Sequence, residues 1–124
     1  MHEHRIQTRW TDFDALGHVT YAAYPVFFDE AREAYLAERV GGFEQWPTVV
    51  VHFAVDYLRE IRYPVSDVLV RTRVAEVGRS SVTFEQEVMS GNEPGARSKT
   101  VLVAWDGERR ASRPIRDDER ASLL

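Results

Sequence analysis

The chain has 124 residues, with 16 lysines and arginines against 20 aspartates and glutamates, a net charge of −4. One domain, 1–124, fits that length, and the acidic balance argues against a nucleic-acid partner, because such binding rests on neutralising phosphates. There is no cysteine, which excludes disulfides, thiolate metal sites and cysteine nucleophiles, and the absence of a signal-type run or a span of about 20 apolar residues leads us to expect a soluble cytoplasmic protein without a membrane partner.

Arg5–Trp10 alternates and reads as a short strand. Thr11–Thr20 holds two aspartates, a glycine and a histidine, which is loop chemistry. A long helical pattern follows over Tyr21–Val40. Tyr24, Phe27, Phe28, Ala31 and Tyr35 step by three, four and seven onto one stripe, opposite Asp29, Glu33 and Arg39. Thr20 is the candidate N-cap and Gly41-Gly42 the stop, while Pro25 suits a first helical turn and allows a start a few residues after Tyr21. Glu30 and Arg32 read as a solvated or interface pair.

After Pro47 the composition turns to valine and aromatics. Thr48–Arg59, Val68–Val77, Ser81–Met89 and Arg97–Trp105 read as strands separated by turns at Pro64, Gly78, Gly91–Gly95 and Asp106-Gly107. In Ser81–Val88 polar and apolar residues alternate, the mark of a half-buried antiparallel strand. The charged tail from Pro114 has room for a short helix. The order is strand, long helix, then four strands in meander, with the helix buried on one sheet face. Such a sheet leaves edges to manage, and pairing with a second copy would do so; the expectation is a homodimer, with a homotetramer allowed.

The segment with most chemistry is Trp10–Tyr21. It places a carboxylate, a glycine turn and a helix start close together. A helix start offers unpaired N–H groups and partial positive charge, which can hold a carbonyl oxygen as negative charge develops on it. A carboxylate just upstream could attack that carbonyl or activate a water. Capping or turn formation is the competing role for each aspartate, and Asp12 is read as a turn former. His18 reads either as a general base or as a loop-stabilising hydrogen-bonding group. His52, among valines, reads as a core or pocket-lining histidine. His2 and His4 flank Glu3 at the terminus, and no ligand set has metal-site spacing.

Asp12-Phe13-Asp14-Ala15-Leu16-Gly17-His18-Val19, Tyr24 and Phe27-Phe28-Asp29-Glu30-Ala31-Arg32 resemble the 4-hydroxybenzoyl-CoA thioesterase family of hotdog proteins. So do Val55–Arg59, Val77–Ser81, Ala104-Trp105-Asp106 and Arg113-Pro114-Ile115, in the family's order over about residues 5–120. The resemblance implies an α+β hotdog fold: an antiparallel sheet of about five strands wrapped around one long central helix. It implies an acyl-CoA thioesterase whose coenzyme A is part of substrate and product, with no separate cofactor. Asp14 matches the catalytic aspartate and Tyr21 the residue whose backbone N–H polarises the thioester carbonyl. Gly17, His18 and Val19 match the turn shaping the pocket, and Tyr24 and His52 are candidates to line it. Arg79 matches a basic position that can meet coenzyme A phosphates, and Ser80 beside it is the second candidate to bind coenzyme A. Thr20 and Tyr21 stand where relatives often carry two asparagines. Two other readings stay open: a hotdog protein that binds acyl-CoA or acyl carrier protein without hydrolysis, and a hotdog hydratase or dehydratase.

Overall fold

A computed structural model describes residues 1–124. The elements are β1 (His2–Gln7), a 3-10 turn at Trp10–Asp12, another at Tyr21–Ala23, α1 (Tyr24–Val40), β2 (Thr48–Tyr57), β3 (Asp67–Val77), β4 (Ser81–Ser90), β5 (Glu93–Asp106), β6 (Ala111–Ser112) and α2 (Asp117–Leu123). The first strand starts earlier than expected and stops before Trp10. No helix is long and apolar enough to cross a membrane.

The long helix forms where the stripe predicts it. Tyr24, Phe27, Phe28, Ala31, Tyr35 and Leu36 are buried, and Pro25 sits in the first turn. The residues from Tyr21 to Ala23 form the tighter turn instead, and Thr20 makes no side-chain cap. At the other end Gly41 adopts φ +88°, a left-handed conformation suited to glycine, and its N–H bonds to Leu36 O.

The sheet order is β1-β3-β4-β5-β2, all antiparallel, with β6 pairing to β5. The expected four-strand meander holds only for β3, β4 and β5. Having crossed the sheet as α1, the chain returns on the far side, so β2 pairs with β5 and becomes an edge. Residues 58–66 then carry it back to β3. Which strand pairs with which is a tertiary choice that local alternation does not encode.

The core has two apolar clusters beneath α1. One joins Tyr24, Phe27, Phe28 and Ala31 to Ile6, Val70, Val88 and Ala96. The other joins Tyr35 and Leu36 to Trp46, Phe84, Leu102 and Leu123. Between them runs a buried polar belt. Arg32 Nη1 donates to Gln86 Oε1 (3.0 Å) and Thr100 Oγ1 (3.1 Å), while Gln86 Nε2 donates to Phe28 O and Thr72 Oγ1 (both 3.0 Å). Arg32 is therefore no solvated helix residue. It lies four after Phe28 and three before Tyr35, on the buried stripe. Burial pulls its pKa down, and Asp29, 3.3 Å away, opposes that shift.

His52 is also corrected. A bulge between Val50 and His52 shifts the register, so that His52 pairs with Val101 and Phe53 with Thr100. Phe53 and Val55 pack against the core under the helix. His52 faces the other side of the edge strand and is exposed, not a core histidine.

Candidate functional site

The stretch from Phe13 to Val19 is a small hairpin. Phe13 and Val19 form an antiparallel bridge, Asp14 N–H donates to His18 O (3.1 Å) and Gly17 N–H to Asp14 O (3.1 Å). Gly17 has φ +79°, the conformation for which glycine is suited. The loop after β2 is zipped alongside: Val19 N–H donates to Ile61 O (2.8 Å) and Tyr63 N–H to Gly17 O (2.9 Å). Asp12 is buried, and its carboxylate takes Arg9 N–H (2.8 Å) and Arg9 Nη2 (2.8 Å). It anchors the turn, as a turn former should.

Asp14 is different. Its carboxylate stays about one-third exposed; Oδ1 accepts the Leu16 N–H at 2.9 Å and Oδ2 lies 3.3 Å from His18 Nε2. His18 Nδ1 in turn lies 3.2 Å from Glu60 Oε2. The Tyr21 N–H, at the start of the 3-10 turn, finds no acceptor among the backbone bonds around the turn. A backbone N–H at such a start is open to an acceptor from outside the turn.

Two cavities flank the hairpin. One, of about 310 Å³, is lined by His18, Val19, Tyr21, Tyr24 and the segment Tyr57–Glu60. The other, of about 450 Å³, is lined by Asp14, Gly17, Trp10, Phe13 and Tyr63. Asp14 lines the second cavity and Tyr21 the first, and His18, which lines the first, lies 3.3 Å from Asp14. The first cavity is walled by phenols. Tyr24 and Tyr57 stack edge to face at 5.1 Å, and Tyr57 OH donates to Tyr21 O at 3.0 Å. Burial, reinforced by Tyr57, pushes the Tyr24 hydroxyl up to about 12, so it stays a neutral donor. In the second, Tyr63 meets Phe13 at 5.1 Å and Trp10 at 6.1 Å, both edge to face.

The hairpin carries Asp14, Gly17, His18 and Val19, and the turn and helix start that follow it add Tyr21 and Tyr24, all of them lining one or other of these two cavities. Arg79 and Ser80 lie elsewhere in the chain. They occupy the β3–β4 turn, where their carbonyls accept Ile115 N–H (2.8 Å) and Ala104 N–H (2.9 Å). The hairpin sits beside the opposite end of β3, where Thr8 N–H bonds to Ser66 O. Ten residue steps of strand separate the two ends, about 33 Å. His52 lines neither cavity. No set of His, Cys, Asp or Glu side chains gathers to hold a metal; Asp14 and Glu60 contact opposite nitrogens of His18 and so cannot converge on one ion. Glu60 carries no signal in the sequence. It stands 42 residues from His18 in a loop with no motif, so no spacing could have found it.

A family model of the thioesterase-like superfamily matches residues 8–123. Several solved structures superpose closely. A thioesterase of Thermus thermophilus, complexed with coenzyme A and Zn, is 31% identical and has a TM-score of 0.87, covering 98% of this chain and 90% of that one. The PA5185 protein of Pseudomonas aeruginosa is 35% identical with a TM-score of 0.85, covering 99% and 89%. A predicted thioesterase of Bacillus stearothermophilus is 27% identical with a TM-score of 0.88, covering 98% and 92%.

Proposed function

The chain belongs to the thioesterase-like superfamily and has its hotdog fold, and on that footing we propose that it hydrolyses an acyl-CoA thioester to the free acid and coenzyme A. The observation that carries the reading is Asp14: a carboxylate held by the Leu16 N–H and His18, in a turn leading directly to the free N–H of Tyr21. Tyr21 N–H stabilises the oxyanion. Asp14 acts as nucleophile, giving a mixed anhydride, or as base on water. Gly17, His18 and Val19 shape the turn. The acyl chain lies beside the helix, where Tyr24 lines the cavity. No cofactor is required.

Coenzyme A meets Arg79 and Ser80 only if these come from a second copy, and the geometry of β2 supports this. An antiparallel self-pairing of β2 edges around their middle sets the partner's Thr48 end against this chain's Tyr57 end. Thr48 pairs with Ala104, which bonds Ser80, and Tyr57 lines the first cavity. A homodimer built in this way completes each site with the other chain's Arg79 turn. His52, at the middle of β2, would lie in that seam. The coenzyme A bound to the Thermus thermophilus relative is consistent with such a ligand.

The test is a panel of short, long and aromatic acyl-CoAs with thiol release as readout. Asp14→Asn should lower the rate by about 10²-fold or more; hydrolysis persisting near the wild-type rate would remove Asp14 from the mechanism. The His18–Asp14 contact is also a pair that a hydratase could use. Incubation with an enoyl-CoA should give no hydroxyacyl product, and its appearance would favour that reading instead.

A further inference from the structure

The His18 ring lies between two carboxylates, Asp14 Oδ2 at 3.3 Å from Nε2 and Glu60 Oε2 at 3.2 Å from Nδ1. A neutral imidazole has one N–H and one lone pair, whereas an ionised carboxylate only accepts. Both contacts are hydrogen bonds only when the ring carries both protons or one carboxyl is protonated.

The backbone builds this arrangement. His18 bridges to Arg62, and the two bonds flanking it, Val19 N–H to Ile61 O and Tyr63 N–H to Gly17 O, fix the loop against the hairpin. Ser90 Oγ donates to Glu60 O at 3.0 Å, so the backbone that carries Glu60 is tied to the end of β4. Arg62 Nε lies 3.6 Å from Glu60 Oε1, on the carboxylate oxygen that His18 does not use. Arg59 lines the same cavity but is paired with Glu93 at 2.6 Å. Glu60 Oε2 is thus the carboxylate oxygen beside Nδ1, and the ring's other nitrogen faces Asp14.

We propose that Glu60 is a positioning residue: it takes the Nδ1 proton of His18 in a hydrogen bond, which leaves Nε2 facing Asp14 and able to protonate the departing thiolate. This rests on the thioesterase reading above. With Asp14 as base, water loses a proton to Oδ2 and its oxygen bonds to the carbonyl carbon. The C–S bond then breaks with its electron pair on sulfur, and sulfur takes the Nε2 proton. The neutral ring keeps Nδ1–H on Glu60. The proton on Oδ2 passes to Nε2 and restores the starting state. If Asp14 instead attacks the carbonyl, the water that opens the anhydride returns the proton to Nε2.

The experiment combines kinetics with ¹⁵N spectra of the imidazole. In Glu60→Ala, kcat should fall about 10-fold or more with KM within about 2-fold, as when a group orienting another is lost. Glu60→Gln, whose amide oxygen still accepts Nδ1–H, should recover most of that loss. The neutral ring of the wild type should carry its proton on Nδ1, and in Glu60→Ala the preference should vanish. An active wild type with an unaltered kcat in Glu60→Ala, or a neutral ring protonated on Nε2, overturns the role of Glu60. A wild type that hydrolyses none of the panel overturns the thioesterase reading itself and with it the proton transfer to sulfur.

Discussion

Glu119 is the buried carboxylate that ties the C-terminal helix to the rest of the molecule, and its removal should change how stability depends on pH. Its Oε1 accepts Arg113 Nη1 and the Arg116 N–H (both 2.9 Å), while its Oε2 accepts Arg113 Nη2 (2.8 Å) and the Trp46 indole N–H (2.5 Å). These bonds, Arg113 foremost, hold the carboxyl at about 2 against an ordinary 4.5. The unfolded chain takes up its proton near 4.5 and the folded chain only near 2. The contribution is therefore complete above pH 4.5 and is lost as pH falls from there towards 2. A difference of that size is worth at most about 3 kcal/mol. In Glu119→Gln the titrating group is gone, and one partner of a buried pair is left short, a loss of about 3 kcal/mol at neutral pH. Urea denaturation of both proteins from pH 7 to 2.5 is the assay. The other paired carboxylates act in both proteins and cancel in the difference. The stability gap should be widest at pH 7 and shrink steadily below pH 4.5. A gap that stays constant through that range would refute the assignment of the low pKa to Glu119.

The other expectations are simpler. Gln86→Leu strips Arg32, Phe28 O and Thr72 of a shared partner and should cost about 2–4 kcal/mol by thermal or chemical denaturation. Gly17→Val forces a β-branched residue to φ +79°, which should destabilise by about 1–2 kcal/mol and reduce hydrolysis more than stability, since the strained turn carries Asp14 and His18; equal effects on a folded, active enzyme would count against the turn's role. Val51→Glu on the exposed edge of β2 should yield monomers in sedimentation analysis and, if the partner's Arg79 completes the site, lower kcat/KM for acyl-CoA. Arg79→Ala should raise KM for acyl-CoA by about 10-fold, equivalent to one lost phosphate contact of about 1.4 kcal/mol, with a smaller effect on kcat.

The helix is legible because a period of 3.6 written in large side chains has few other solutions, and the same stripe holds Arg32, whose charge suggests solvent. The charge is accommodated by Gln86 and Thr100, which belong to strands more than 50 residues away. Strands can be found from composition, but not their neighbours: β2 follows the helix in sequence and ends beside β5. His52 is displaced by one inserted residue, since a bulge changes the face of everything beyond it without altering composition. The Asp14–Tyr21 segment is readable as a site because its parts are local. Glu60 is not, since only the zipping of two loops brings it to His18.

The polar belt beneath α1 has a consequence at the other end of the helix. Arg32 can meet Gln86 and Thr100 at one rotation and one height only, so the belt acts as a datum from which the rest of the helix is measured. Tyr24 lies eight residues upstream, about 12 Å along the axis, and Tyr21 just beyond it. One residue inserted anywhere between would turn the helix start by about 100° relative to the Asp14 hairpin, with every local contact of that hairpin intact. The spacing from Tyr21 to Arg32 is thus a ruler for the site, and its tolerance to insertion should be far lower than that of the surface turn at Gly91.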